Sequence, residues 1–124
     1  MIQHEGKGWR LELDDTKKDF PILIGGEFWA VELSNIEWNS LRPVVSKLID
    51  QYEHLKNSLM REENIFIEVE VAPWWACIEG TKEDWRLKLI LSGKGCNGRG
   101  VELFWPEPAA QAIVSVMRIM WDSH

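Results

Sequence analysis

Glycine, histidine, cysteine and acidic residues are where chemistry would have to begin in this chain, and their spacing decides how far it gets. Gly93-Lys94-Gly95-Cys96-Asn97-Gly98 fits the GxGxxG pattern, in which glycine amides opening a helix hold a pyrophosphate. The residues after Gly100, Val101-Glu102-Leu103-Phe104-Trp105, have strand character instead, so the stretch reads as a flexible loop between two strands. A phosphate loop fails for the same reason, and the Lys and the Ser or Thr that would serve magnesium are missing. His4, His54 and His124 are scattered, and none has a Ser, Cys or Asp at triad spacing. Asp14-Asp15 and Glu62-Glu63 read as loop charges, and Glu68 and Glu70 as the polar face of a strand, so no carboxylate pair is set up for acid–base work. Cys77 and Cys96 form no CxxC and have no histidine at ligand spacing, which signals neither a disulfide framework nor a zinc site. A reduced cytoplasmic chain with no metal, no cofactor and no enzymatic activity is expected.

Basic and aromatic residues offer a different chemistry. Thr81 to Gly100 carries Lys82, Arg86, Lys88, Lys94 and Arg99 against Glu83 and Asp84. With Arg10, Trp74 and Trp75 added, Arg86, Lys88, Lys94 and Arg99 would supply cations to follow a nucleic-acid backbone and rings to stack its bases. The competing reading is a solvated face whose cations pair with Glu68 or Glu70, with both tryptophans in the core. The net charge of −6 favours the latter and disfavours indiscriminate attraction to nucleic acid or anionic membrane.

The elements that must position these residues follow from periodicity. Trp9/Leu11/Leu13 and Trp85/Leu87/Leu89 recur every second residue, with Arg10/Glu12 and Arg86/Lys88 on the opposite face, the pattern of a half-buried strand. Trp29 follows Trp9, and Trp105 follows Trp85, at the same interval of twenty residues. The echo predicts two related strand–strand–helix halves. Phe20 to Leu33 reads as two short strands broken by a turn or bulge at Gly25-Gly26, and Ile65 to Val71 as a strand with Ile67, Val69 and Val71 inward. Trp74 to Glu79 and Val101 to Trp105 complete an antiparallel meander.

Ser34-Asn35-Ile36-Glu37 has the form of a capping box and predicts a helix from about Asn35 to Met60, with Leu41, Val45, Leu48, Tyr52, Leu55 and Leu59 on one stripe. Pro43 either closes a separate lead-in turn or kinks that helix. Pro108 opens a second helix, Ala109 to about Trp121, that is apolar on nearly every face. Such a helix is buried or meets a partner, and Ile113, Val116, Met120 and Trp121 are the candidate partner interface. The fold class is therefore α+β in a single domain: a curved antiparallel sheet of about six strands with one long helix and a shorter C-terminal helix. No window approaches the length of a transmembrane helix, no signal peptide is recognisable, and a soluble protein is expected.

Gly8-Trp9-Arg10-Leu11, Pro21-Ile22-Leu23-Ile24-Gly25-Gly26 with Trp29-Ala30-Val31-Glu32-Leu33, Leu59-Met60-Arg61-Glu62-Glu63, Trp74-Trp75 with Glu79-Gly80, and Phe104-Trp105-Pro106 together resemble a cyanobacterial family, domain of unknown function 1818. The resemblance covers nearly the whole chain. It implies a fold grouped with the single-stranded-DNA-binding transcriptional regulators, the class of the coactivator PC4 and the plant whirly proteins, also described as cystatin-like. It transfers no catalytic residue, and the lysine-rich strand motif of the whirly proteins has no counterpart here. The leading expectation is a non-enzymatic binding or regulatory protein acting through protein contacts, with a homodimer that buries part of the C-terminal helix as one form of it. The alternative is binding of single-stranded DNA or RNA, and a small-ligand pocket in the concavity of the sheet stands last.

Overall fold

Alternating apolar residues build two antiparallel meanders in the computed structural model, which describes residues 1–93 and 98–123. The first comprises β1 (Ile2–Gly6), β2 (Trp9–Leu13), β3 (Ile22–Gly26) and β4 (Ala30–Leu33) and leads into α1 (Asn35–Lys56). The second comprises β5 (Ile65–Val71), β6 (Trp74–Gly80), β7 (Trp85–Leu91) and β8 (Val101–Trp105) and leads into α2 (Ala109–Ser123). In both sheets the spatial order of the strands is their order in sequence. The expected single sheet of about six strands is thus two sheets of four. The strand β1 left no mark in the sequence because Gln3 to Gly6 are exposed, and nothing buried imposes an alternation on them.

Each half is four strands and a helix, which corrects the register of the tryptophan echo. Trp9 opens β2, the second strand of its sheet, whereas Trp85 opens β7, the third strand of the other. Gly25 and Gly26 are the last residues of β3, and the turn is Glu27-Phe28, closed by the Gly26 amide donating to the Trp29 carbonyl at 3.0 Å.

The capping box at Ser34 is complete. Ser34 Oγ accepts from the Glu37 amide at 3.1 Å, and the Glu37 carboxylate accepts from the Ser34 amide at 2.8 Å. The helix runs on unbroken through Pro43 and ends at Lys56, short of Met60, where the Asn57 amide turns back to the Leu55 carbonyl. The Pro106 carbonyl accepts an amide from the first turn of α2, that of Ala110, at 2.9 Å.

The helices are exchanged between the halves. The first half's α1 packs on β5 and β6 of the second sheet, and α2 packs on β1 and β2 of the first while also meeting β7. Buried residues from both sheets and both helices therefore form one continuous core, including Leu11, Ile24, Leu48, Leu87, Leu103 and Met117. Trp9, Trp29 and Tyr52 are only partly buried at its margin. Tryptophans tie the layers together. Trp105 Nε1 donates to the Gly25 carbonyl at 3.0 Å and its ring lies 5.2 Å from that of Trp29, while Trp38 and Trp121 join the two helices at 4.6 Å.

Candidate interaction surface

Strand register places the second sheet's polar positions in three rows on the face turned away from the core. They are Phe66–Glu79–Arg86, Glu68–Cys77–Lys88–Phe104 and Glu70–Trp75–Ile90–Glu102. The inner face carries Ile67, Ile78, Leu87 and Trp105 in one row and Val69, Ala76, Leu89 and Leu103 in another, all buried. Both helices lie on inner faces, so the outer face has no helical cover, and Phe66 and Phe104 stay 60% and 48% exposed there.

Cations on this face are answered by carboxylates. Arg86 pairs with Glu79 at 3.1 Å and with Glu107 at 3.8 Å, and Lys88 pairs with Glu102 at 2.8 Å. The bond from Glu102 raises the Lys88 pKa and keeps that ammonium charged. Among the described residues Glu68 accepts only the neutral Trp75 indole N–H, at 3.2 Å, and on this face the carboxylates Glu68, Glu70, Glu79 and Glu102 outnumber the cations Arg86 and Lys88. Cys77 lies in the middle row, buried. Burial, then the Glu79 and Glu68 carboxylates, push its thiol pKa up, which keeps it protonated and unreactive at neutral pH.

The remaining candidate nucleic-acid contacts are dispersed. Trp74, 1% exposed, is a core residue whose indole N–H is shared between the Glu37 carbonyl at 2.9 Å and Ser40 Oγ at 3.1 Å. Arg99 reaches inward, donating to the buried Glu37 carboxylate at 2.7 Å and to the Glu32 carbonyl at 2.8 Å, with its guanidinium 4.6 Å from the Phe20 ring centre. Arg10 is on the other sheet, and Lys94 lies outside the described residues, as do Cys96 and His124. Trp75 alone keeps the expected place beside Arg86 and Lys88, and it stands among glutamates. The arrangement does not gather the described candidate contacts onto one contiguous basic face.

The expected partner surface on α2 is engaged internally as well. Ile113, Met120 and Trp121 are buried, and Val116 packs partly against the core. What the periodicity of the helix signalled was its burial between the first sheet, β7 and α1.

Two of the surface's concavities lie away from this face. An open cleft of about 650 Å³ lies between the β1–β2 and β3–β4 turns, where Trp9 and Trp29 rest over Gly6 and Gly26 so closely that a Cβ on either glycine would collide with the ring. Lys7 and Arg10 face Glu5 and Glu27 there, a balance of charge that selects no ligand. A groove of about 420 Å³ between the helices is lined by Tyr52, Lys82, Trp85, Gln111 and Arg118, and Gln111 Oε1 has no hydrogen-bond partner. Among the described residues no group of three His, Cys, Asp or Glu is placed to hold a metal ion, and no helix is long and apolar enough to cross a membrane.

Fold and surface together define a small α+β domain of two four-stranded sheets with exchanged helices and an acidic, aromatic outer face on the second sheet. The chain belongs to the family of domain of unknown function 1818, whose model matches residues 4–120. It is also similar to a crystallographically solved protein of unknown function from Prochlorococcus sp. NATL2A, described as of the DUF155 family, with 45% sequence identity and a TM-score of 0.89 over 98% of this chain and 99% of that one. The two family designations differ in number while the folds agree. No curated protein matches the chain.

Proposed function

We propose that the protein is a non-enzymatic binding protein whose outer face on the second sheet docks a basic protein partner. The observation that carries this reading is the pairing of exposed apolar rings, Phe66 and Phe104, with an excess of carboxylate on a sheet face that none of the described elements covers. Aromatic side chains in such positions supply most of the contact energy in protein interfaces, while the surrounding charges set partner choice and encounter rate. The ion pairs that occupy Arg86, Lys88 and Arg99 favour this reading over single-stranded nucleic acid, because each cation would have to leave a carboxylate to meet a phosphate.

The test is a titration that follows tryptophan fluorescence, with Trp75 as the reporter on the face. Short lysine-rich peptides and labelled single-stranded oligonucleotides are added in parallel at low and moderate salt. Salt-sensitive binding of the peptides is expected, lost when Phe66 and Phe104 are both replaced by Ser, with no uptake of the oligonucleotides. Oligonucleotide binding that disappears in an Arg86→Glu/Lys88→Glu variant would replace this reading with the nucleic-acid one.

A further inference from the structure

The edge of the same face is the most specific feature of the molecule. The strand β5 pairs with β6 on one side and, among the described residues, with no strand on its second side. Hydrogen bonding across the sheet shows which of its backbone groups are left over. At one end of the β6–β7 hairpin the Thr81 amide donates to the Asp84 carbonyl at 3.0 Å, and at the other the Ser92 amide donates to the Pro73 carbonyl at 2.8 Å. In an antiparallel ladder the direction of the backbone groups alternates residue by residue. Trp75, Cys77 and Glu79 therefore bond to β7, and Trp74, Ala76, Ile78 and Gly80 bond to β5 through their partners Val71, Val69, Ile67 and Ile65. The N–H and C=O groups of Phe66, Glu68 and Glu70 consequently point out from the sheet edge. Those three residues also carry the more exposed of the face's two phenylalanine rings and two carboxylates that, among the described residues, meet no cation.

A regular seven-residue edge with free backbone groups is a template for another strand. Its charges say which strand. A second copy paired with β5 over its full length would set Glu68 opposite the copy's Glu68, and like charges directly opposite are destabilising. We infer that β5 accepts an extended basic segment of the partner, added antiparallel so that two lysines or arginines at alternate positions face Glu70 and Glu68 and an aliphatic residue two further on faces Phe66. The inference rests on the protein-docking reading and specifies its partner as a Lys/Arg-x-Lys/Arg-x-aliphatic strand.

The experiment uses the full chain, isotopically labelled for NMR, with a capped seven-residue peptide carrying lysine at its second and fourth positions and valine at its sixth as the probe. Two further peptides carry N-methyl groups on one or the other alternate set of amides, which blocks one hydrogen-bonding edge at a time. Strand addition predicts slowed amide exchange at Phe66, Glu68 and Glu70 but no change at Ile67 and Val69, whose amides already bond β6. It also predicts that only one of the methylated peptides fails, and that a Glu68→Lys/Glu70→Lys variant binds at least about tenfold more weakly. Peptide binding that perturbs Trp75 and Phe104 while β5 amides stay unprotected, with both methylated peptides still bound, would overturn strand addition and leave the docking face standing. Failure of every basic peptide to bind would overturn both. Concentration-dependent protection of the β5 amides without peptide would replace the foreign strand by a second copy.

Discussion

Arg99 shows how one side chain can be read correctly as charged and still be misplaced. Its guanidinium closes a junction at which β4, the N-terminus of α1 and β6 meet, satisfying Glu37, a carboxylate 3% exposed that also completes the helix cap. Removing it leaves that carboxylate buried without its cation, so Arg99→Ala should lower stability by about 3 kcal/mol in urea denaturation, and Arg99→Lys by less. A loss within about 0.5 kcal/mol for Arg99→Ala would show that the pair is no keystone. Nothing local in the sequence announces the contact, because Glu37 and Arg99 are 62 residues apart. The same limit applies to Arg86 and Lys88. That they face outward was legible from alternation, whereas their partners Glu79 and Glu102 stand on neighbouring strands and become visible only with the register.

Elements were the more legible scale. Seven strands and both helices have periodicity, caps or prolines that mark them, and the capping box gave the start of α1 to the residue. The exposed edge strand β1 had no such signal, and the glycines of β3 mimic a turn because Gly26 makes room for the Trp29 ring. Pro43 remains the element's one local contradiction: it removes an amide from the ninth position of a continuous helix, and its side chain is exposed. Pro43→Ala restores a donor toward the Asn39 carbonyl and should raise stability by about 1 to 3 kcal/mol, read as a higher melting temperature. A lower one would mean that the proline's distortion is needed to fit α1 onto β5 and β6.

At the scale of the molecule, what the sequence hid was the exchange of helices. A stripe of apolar residues states that a helix has a buried face without stating against which sheet, and for α2 the apolar surplus equally suited a partner. Because each sheet takes its cover from the other half, neither half has a core of its own. A chain cut between Met60 and Arg61 should give two fragments without cooperative unfolding when separate, and native-like near-ultraviolet circular dichroism when mixed. Independent folding of either fragment would contradict the exchanged packing. The exchange leaves the outer faces of both sheets without helical cover, and that of the second sheet bears Phe66, Phe104 and two glutamates, Glu68 and Glu70, that pair with no cation among the described residues.

A benzophenone cross-linker in place of Phe104 probes that outer face in the cell. Irradiated in cells that make the protein naturally, it should yield a discrete adduct with a basic protein. The same group in place of Ile119, exposed on α2, should not. An adduct at Phe104 that is sensitive to nuclease, or a protein adduct formed only from Ile119, would contradict the account.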